Sequence, residues 1–242
     1  MQLYGLIGKT LGHSWSRNYF REKFSEAGTD ADYLNFELSD ISEFSDLTEK
    51  HPDLVGVNVT LPYKQTILPY LNDIDDTARE IGAVNVVRIR DLKGFNTDVI
   101  GFVESLKPML RGEHNLKALI LGTGGVSKAV AFGLKQLGIS YNYVSRQPQN
   151  SQILSYKDLS PDAVKDHRLI INCTPLGMFP HVDTYPDIPY DALTSGHILF
   201  DCVYNPEETL FMRLGRKKTM RIQNGLSMLY LQAEAAWKIW ND

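Results

Sequence analysis

Lys64 and Asp98 are the side chains in this sequence whose types suit a proton transfer at a substrate oxygen. A hydride moved to or from an alcohol carbon needs such a transfer, and a Lys–Asp pair can supply it while orienting the hydroxyl. Each has a plainer alternative, since a lone lysine is ordinarily a solvated charge and an aspartate readily caps a helix. A free ammonium loses its proton only near pH ~10.4, and a neighbouring carboxylate holds it tighter, so spacing leaves open which group is acid and which base. Lys64 closes the run Asn58-Val59-Thr60-Leu61-Pro62-Tyr63-Lys64. Alternation turns Asn58 and Thr60 to one side of a strand, and Pro62 then bars regular pairing and forces a turn. Asn85 lies inside an apolar strand, where an amide is costly unless partnered. Ser14 and Ser16 precede a helix, where they serve either as caps or, with the helix N-terminus, as a carboxylate site.

A second kind of chemistry is written at Leu121-Gly122-Thr123-Gly124-Gly125-Val126-Ser127, a strand running into glycines and then a helix. Glycine permits a tight turn and close backbone approach, and the helix start offers free N–H groups to a pyrophosphate. The following strand ends in Ser145-Arg146, where an NAD site normally has an acid for the ribose hydroxyls. An arginine without that acid points to NADP, with Ser145 and Arg146 on the 2′-phosphate; a solvated arginine at a strand end is the plainer alternative.

These groups need elements to carry them. Strands are expected at Leu3–Ile7, Tyr33–Leu38, Gly56–Thr60, Val84–Ile89, Ala118–Leu121 and Tyr141–Ser145. Helices are expected at Ser16–Glu26, from Thr97 or Asp98 to Lys107 before Pro108, at Val126–Leu137 and at Leu226–Trp240, with Lys93-Gly94 as a turn. The alternation predicts an α/β protein with largely parallel sheets. Its 242 residues, 43% hydrophobic and 22% charged, suit one large or two modest domains and exclude disorder. With 25 Lys+Arg against 29 Asp+Glu the net charge is −4, which argues against a nucleic-acid or anionic-membrane binder. The basic cluster Arg213, Arg216, Lys217, Lys218 and Arg221 reads as a solvated face. Two cysteines far apart in sequence, Cys173 and Cys202, make neither a CxxC pair nor half a zinc site, so no metal and a reduced, cytoplasmic setting are expected.

Together the motifs resemble the shikimate dehydrogenase family: N-V-T-x-P-x-K at 58–64, G-A-V-N at 82–85, N-T-D at 96–98, the G-x-G-G turn, N-x-T-P-x-G-M at 172–178 and G-L-x-M-L-x-x-Q-A at 225–233. The resemblance implies NADP-dependent, reversible reduction of 3-dehydroshikimate to shikimate, a step toward chorismate and the aromatic amino acids. It implies a substrate-binding domain of residues 1–100 plus 224–242 and a Rossmann-like NADP-binding domain of residues 101–223, with a cleft between them. Ser14 and Ser16 would hold the substrate carboxylate, and Asn58, Thr60, Asn85, Tyr204 and Gln232 its ring and hydroxyls. Lys64 and Asp98 would be the catalytic pair. Gly122, Gly124, Gly125 and Val126 would lie along the pyrophosphate, Asn172 to Met178, with Thr174 and Gly177, along the ribose and nicotinamide, and Gly225 at the nicotinamide amide.

The chain departs from the family at Ser145-Arg146-Gln147, where NADP-specific members usually read Asn-Arg-Thr with another basic residue soon after. Gln149-Asn150-Ser151 supplies none, which keeps NAD open as a cofactor. The competing readings are a quinate/shikimate-type dehydrogenase using NAD and a non-catalytic dinucleotide-binding relative. Small-molecule substrates, no nucleic acid, no membrane and a monomer or homodimer complete the expectation.

Overall fold

A computed structural model describes residues 1–12, 14–151 and 153–242. In chain order the elements are β1 (Gln2–Gly8), α1 (Trp15–Ala27), β2 (Ala31–Glu37), α2 (Glu43–Lys50), β3 (Leu54–Val59), β4 (Asp73–Ile74), α3 (Asp76–Ile81), β5 (Val86–Arg88), β6 (Lys93–Phe95) and α4 (Asp98–Leu110). They continue with β7 (Lys117–Leu121), α5 (Gly125–Gln136), β8 (Ser140–Ser145), β9 (Ile153–Ser155), α6 (Pro161–Asp166), β10 (Leu169–Asn172), β11 (Ile198–Asp201), α7 (Leu210–Arg216), β12 (Ile222–Gln223) and α8 (Leu226–Asn241). The chain forms two compact units, Met1–Thr97 with Ala233–Asp242, and Asp98–Gln232.

The first unit holds a six-stranded sheet in the order β2-β1-β3-β5-β6-β4. β1 runs parallel to β2 and β3, but β5 is antiparallel to both β3 and β6, so this sheet is mixed rather than largely parallel. The reason lies at 89–92, where a single 3-10 turn ending in the left-handed Leu92 joins β5 to β6. So short a link can only reverse the chain. Lys93-Gly94, expected as a turn, is therefore strand.

In the same unit, α1 buries Phe20 and Phe24 and ends at Gly28, whose left-handed backbone is a common helix stop. Those rings pack with Tyr4, Tyr33, Val86, Ala233, Ala236 and Trp240. Trp240 decides the fit: a Cβ on Gly56 would lie 2.2 Å from its ring, and its Nε1 donates to the Val87 carbonyl at 3.1 Å. The end of α8 thus docks on β3 and β5 through a site only glycine leaves open.

The second unit is built on six parallel strands in the order β12-β11-β10-β7-β8-β9. Renumbered from β7, this is the doubly wound order, with its switch point between β7 and β10. α4 packs on α5, where Gly133 makes room for Phe102 and Val103. A Cβ on Gly101 would lie 2.4 Å from the Met228 carbonyl, so α4 and the first turns of α8 are in backbone contact. That contact draws residues 98–100 and 224–232 into this unit, against the expected boundaries at 100 and 224. α4 also runs through Pro108 to Leu110 instead of stopping before it. The carbonyl that Pro108 leaves unbonded belongs to Glu104, on the solvent side of the helix.

Among the described residues, three of the five basic-cluster residues are paired. Arg216 meets Glu208 at 2.7 Å, Lys218 meets Asp191 at 3.2 Å, and Arg221 shares Glu113 with Arg168. Among the described residues no helix is long and apolar enough to cross a membrane, and no group of three or more His, Cys, Asp and Glu could hold a metal ion.

Because the Trp240 indole fills the space above Gly56, Trp240→Ala should lower the unfolding free energy by about 3–5 kcal/mol and Gly56→Ala by about 1–3 kcal/mol. Urea denaturation followed by far-UV circular dichroism measures both, and losses under about 0.5 kcal/mol, the range of a neutral surface change, would exclude this docking.

Candidate active site

In the first unit a chain of buried polar groups links α1 to β3 and β5. Ser14 caps α1, its Oγ accepting the Arg17 N–H at 3.2 Å, while the Ser16 hydroxyl bonds the Tyr33 phenol. The Tyr33 hydroxyl donates to Asn58 Oδ1 at 2.8 Å, and Asn58 Nδ2 reaches the Asn85 carbonyl at 3.4 Å. Burial pushes the Tyr33 phenol well above its ordinary range, so it stays a donor, and Asn58 must then present its NH₂ side elsewhere.

Asn85 is held as firmly. Its Oδ1 accepts the Thr97 N–H at 2.7 Å and its Nδ2 donates to Thr97 Oγ1 at 3.0 Å. Asn85 stands just before β5 and not inside a strand as expected, and these bonds partner its buried amide. Thr60 follows β3, its N–H bonded to the Ile7 carbonyl at 2.9 Å. Lys64 follows the turn at 61–63 and is half-buried, and its carbonyl accepts the Val84 N–H at 2.7 Å. The structure thus brings Ser16, Asn58 and Asn85 into one network, with Thr60 just beyond the end of β3.

In the second unit the cofactor-type groups gather at the carboxyl ends of β7, β8, β10 and β11. Gly122 turns at φ 104°, in the left-handed region, and donates to the Val144 carbonyl at 2.8 Å. Gly124 is informative for a different reason. Its φ of −77° suits any residue, and a Cβ there would meet no atom within 4 Å. Neither conformation nor packing explains glycine at 124, whereas a ligand approaching the backbone at the start of α5 does. Gly125 and Val126 open that helix, and Ser127, fully buried, donates its hydroxyl to the Gly124 carbonyl at 2.6 Å. The small Ser127 keeps helix and strand close where the motif usually has glycine.

At the end of β8, Ser145 Oγ accepts the Gln147 N–H at 3.2 Å, and Arg146 is exposed. Among the described residues no carboxylate stands at this strand end, so the residues present fit a 2′-phosphate better than a bare ribose.

Sequence reasoning gave Asp201 no role, and it organises the loops opposite. This fully buried carboxylate accepts from Asn172 Nδ2 at 3.0 Å, Val203 N–H at 3.0 Å and Thr209 Oγ1 at 2.5 Å. Asn172, equally buried, passes the order on by accepting from Thr174 Oγ1 at 2.6 Å and Thr174 N–H at 3.0 Å. Asn172 therefore positions the 173–178 loop from beneath rather than lining its surface. Gly177 donates to Thr184 Oγ1 at 2.9 Å, and Met178 beyond it is exposed. The only sequence sign of this network was a polar residue closing each of two apolar strands.

Gly225 donates to the Val203 carbonyl at 3.0 Å, and a Cβ there would strike the Cys202 carbonyl at 2.3 Å. Tyr204 is partly exposed; Gln232 is buried and donates to the Leu229 carbonyl at 2.9 Å. Asp98 opens α4, buried; the Cys202 thiol is held well up by its hydrogen bond to Cys173 and by burial, with smaller contributions from the Asp201 and Asp98 charges. Cys173 and Cys202, distant in sequence, are free thiols with their sulfurs 3.8 Å apart.

Comparison with known proteins agrees with this arrangement. The profile of the shikimate dehydrogenase substrate binding domain matches residues 6–87. The chain is 35% identical over 256 residues to a shikimate dehydrogenase (NADP(+)) of Caldicellulosiruptor saccharolyticus, covering 98% of this chain and 91% of the relative. It superposes with a TM-score of 0.85 and 31% identity on shikimate 5-dehydrogenase of Thermus thermophilus in complex with NADP(H) and shikimate, covering 99% and 93% of the two chains. Quinate dehydrogenase of Corynebacterium glutamicum in complex with NAD gives 0.88 at 25% identity, covering 99% and 93%.

Burial lifts the Asp201 carboxyl from its ordinary 3.8 to about 6, against the pull of its three hydrogen bonds. A carboxyl that binds its proton more tightly when folded adds stability below pH 3.8, and that contribution is lost as the pH rises through 6. Relative to Asp201→Asn, the unfolding free energy should therefore fall by about 3 kcal/mol between pH 3.8 and about pH 7. Parallel pH profiles of urea midpoint for the two proteins would contradict this.

Proposed function

The chain belongs to the shikimate dehydrogenase family, and we infer that it reduces 3-dehydroshikimate reversibly to shikimate with NADPH. Full-length relationship carries this reading: 35% identity across 98% of the chain to an NADP-dependent shikimate dehydrogenase. Bound NADPH supplies the hydride. The glycine at 124, which neither fold nor packing requires, and the missing acid after β8 support that cofactor. Gly122, Gly124, Gly125 and Val126 take the pyrophosphate, and Ser145 and Arg146 the 2′-phosphate. Thr174, Gly177, Met178 and Gly225 take the ribose and nicotinamide.

The remaining chemistry belongs to side chains. Ser14 and Ser16 hold the substrate carboxylate; Ser14, which accepts the Arg17 N–H, keeps its own hydroxyl proton to donate. Asn58 and Asn85, each fixed through its amide oxygen, meet the substrate hydroxyls with little ordering left to do on binding. Thr60, Tyr204 and Gln232 complete that set. Lys64 and Asp98 hold the proton that the ketone oxygen gains as the hydride arrives and that the alcohol loses in reverse. The same reading has a cytoplasmic enzyme, monomer or homodimer, acting on small molecules.

Lys64→Ala and Asp98→Asn should each lower kcat for shikimate-dependent NADP⁺ reduction by about 10²-fold or more. Turnover near wild type in both would dismiss the pair.

The likeness to an NAD-bound quinate dehydrogenase favours one competing reading. A matrix of shikimate and quinate against NADP⁺ and NAD⁺ decides it: kcat/KM should be highest for shikimate with NADP⁺, and a maximum for quinate with NAD⁺ would replace our assignment. Cofactor binding without turnover of any pair would mark a non-catalytic relative.

A further inference from the structure

We propose that Lys157, delivered by the neighbouring strand β9, is the second cation of the cofactor's 2′-phosphate site. The proposal rests on the NADP reading above and names a residue for it. After Arg146 the chain runs Gln147-Pro148-Gln149-Asn150-Ser151 and carries no further base, so a lone exposed guanidinium would face a dianion. The sheet supplies another cation from elsewhere.

β9 pairs in parallel with β8, Tyr143 opposite Ile153 and Ser145 opposite Ser155. Arg146 and Tyr156 are then the first residues beyond the two strand ends, on the carboxyl edge where open α/β sheets take ligands. Lys157 is the next residue. The two ends are built alike: Ser145 Oγ accepts the Gln147 N–H at 3.2 Å, and Ser155 Oγ accepts the Lys157 N–H at 3.2 Å. Each serine turns its chain within two residues of its strand.

Electrostatics places Arg146 on the β9 side. Burial pushes the Tyr156 phenol up to about 12 against the downward pull of the positive Arg146 guanidinium. Among the described residues no carboxylate pairs with Arg146 or with Lys157, both exposed. The nearest acid in sequence, Asp158, follows Lys157 in a 3-10 turn, where successive side chains diverge by about a third of a turn. Two cations with no carboxylate partner, just beyond adjacent strand ends, suit a phosphate on the ribose.

The test is calorimetric titration with adenosine 2′,5′-bisphosphate and with 5′-AMP, which differ only in the phosphate at issue. Lys157→Ala should weaken the bisphosphate about fivefold, leave 5′-AMP within error, and lose its effect in high salt. Lys217→Ala, an exposed lysine elsewhere in the same unit, should change neither. If Lys157→Ala binds like wild type while Arg146→Ala is weakened, the cofactor reading stands and the role of Lys157 is overturned. Equal weakening of both probes also overturns it, since the 2′-phosphate would not be what Lys157 senses. Wild type with no preference for the bisphosphate overturns the NADP reading itself.

Discussion

A buried carboxylate without a cation underlies the cofactor half of this protein. Asp201 has no charged partner among its hydrogen bonds, which come from Asn172, Val203 and Thr209. Those donors stand at the end of β10, just past β11 and at the start of α7, so satisfying one acid holds three segments together. An unsatisfied carboxylate at that depth would cost several kcal/mol. Its desolvation therefore acts as a constraint: the loop bearing Thr174 and Gly177 and the loop bearing Tyr204 keep their places so that Asp201 stays bonded.

The substrate half repeats the device with neutral groups. Tyr33 and Thr97 donate to the amide oxygens of Asn58 and Asn85, which orients both amides before any ligand is present. A half-satisfied network of this kind would be worse than an apolar core, so each partner is required by the others. Ser16 joins through Tyr33, which couples the first turn of α1 to the end of β3. In both units buried polar groups bonded to one another fix the local geometry.

Much of this was legible in the sequence because it is local. The strand, glycine turn and helix at 117–136 follow from periodicity and breakers, whereas the strand order β12-β11-β10-β7-β8-β9 is set by tertiary pairing. What was misread depended on neighbours. Lys93-Gly94 has turn chemistry, but pairing with β5 makes it strand. Pro108 is a helix breaker, yet the last turn of α4 tolerates it on the solvent side. The unit boundaries move because Gly101 lets α4 reach the backbone of α8, which no spacing within either helix reveals.

By itself the sequence determined the α/β class, the strand, glycine turn and helix at 117–136, and the family, since each is carried by motifs of residues close together in the chain. Tertiary structure alone decided that β5 reverses the first sheet, that Asp201 and Asn172 brace the cofactor loops, that Cys173 lies against Cys202, and that Lys157 stands on the strand end next to that of Arg146. The reason is physical. Periodicity and turn chemistry act over a few residues, whereas strand neighbours and buried partners are chosen by which apolar faces close the core and which polar groups must then be satisfied.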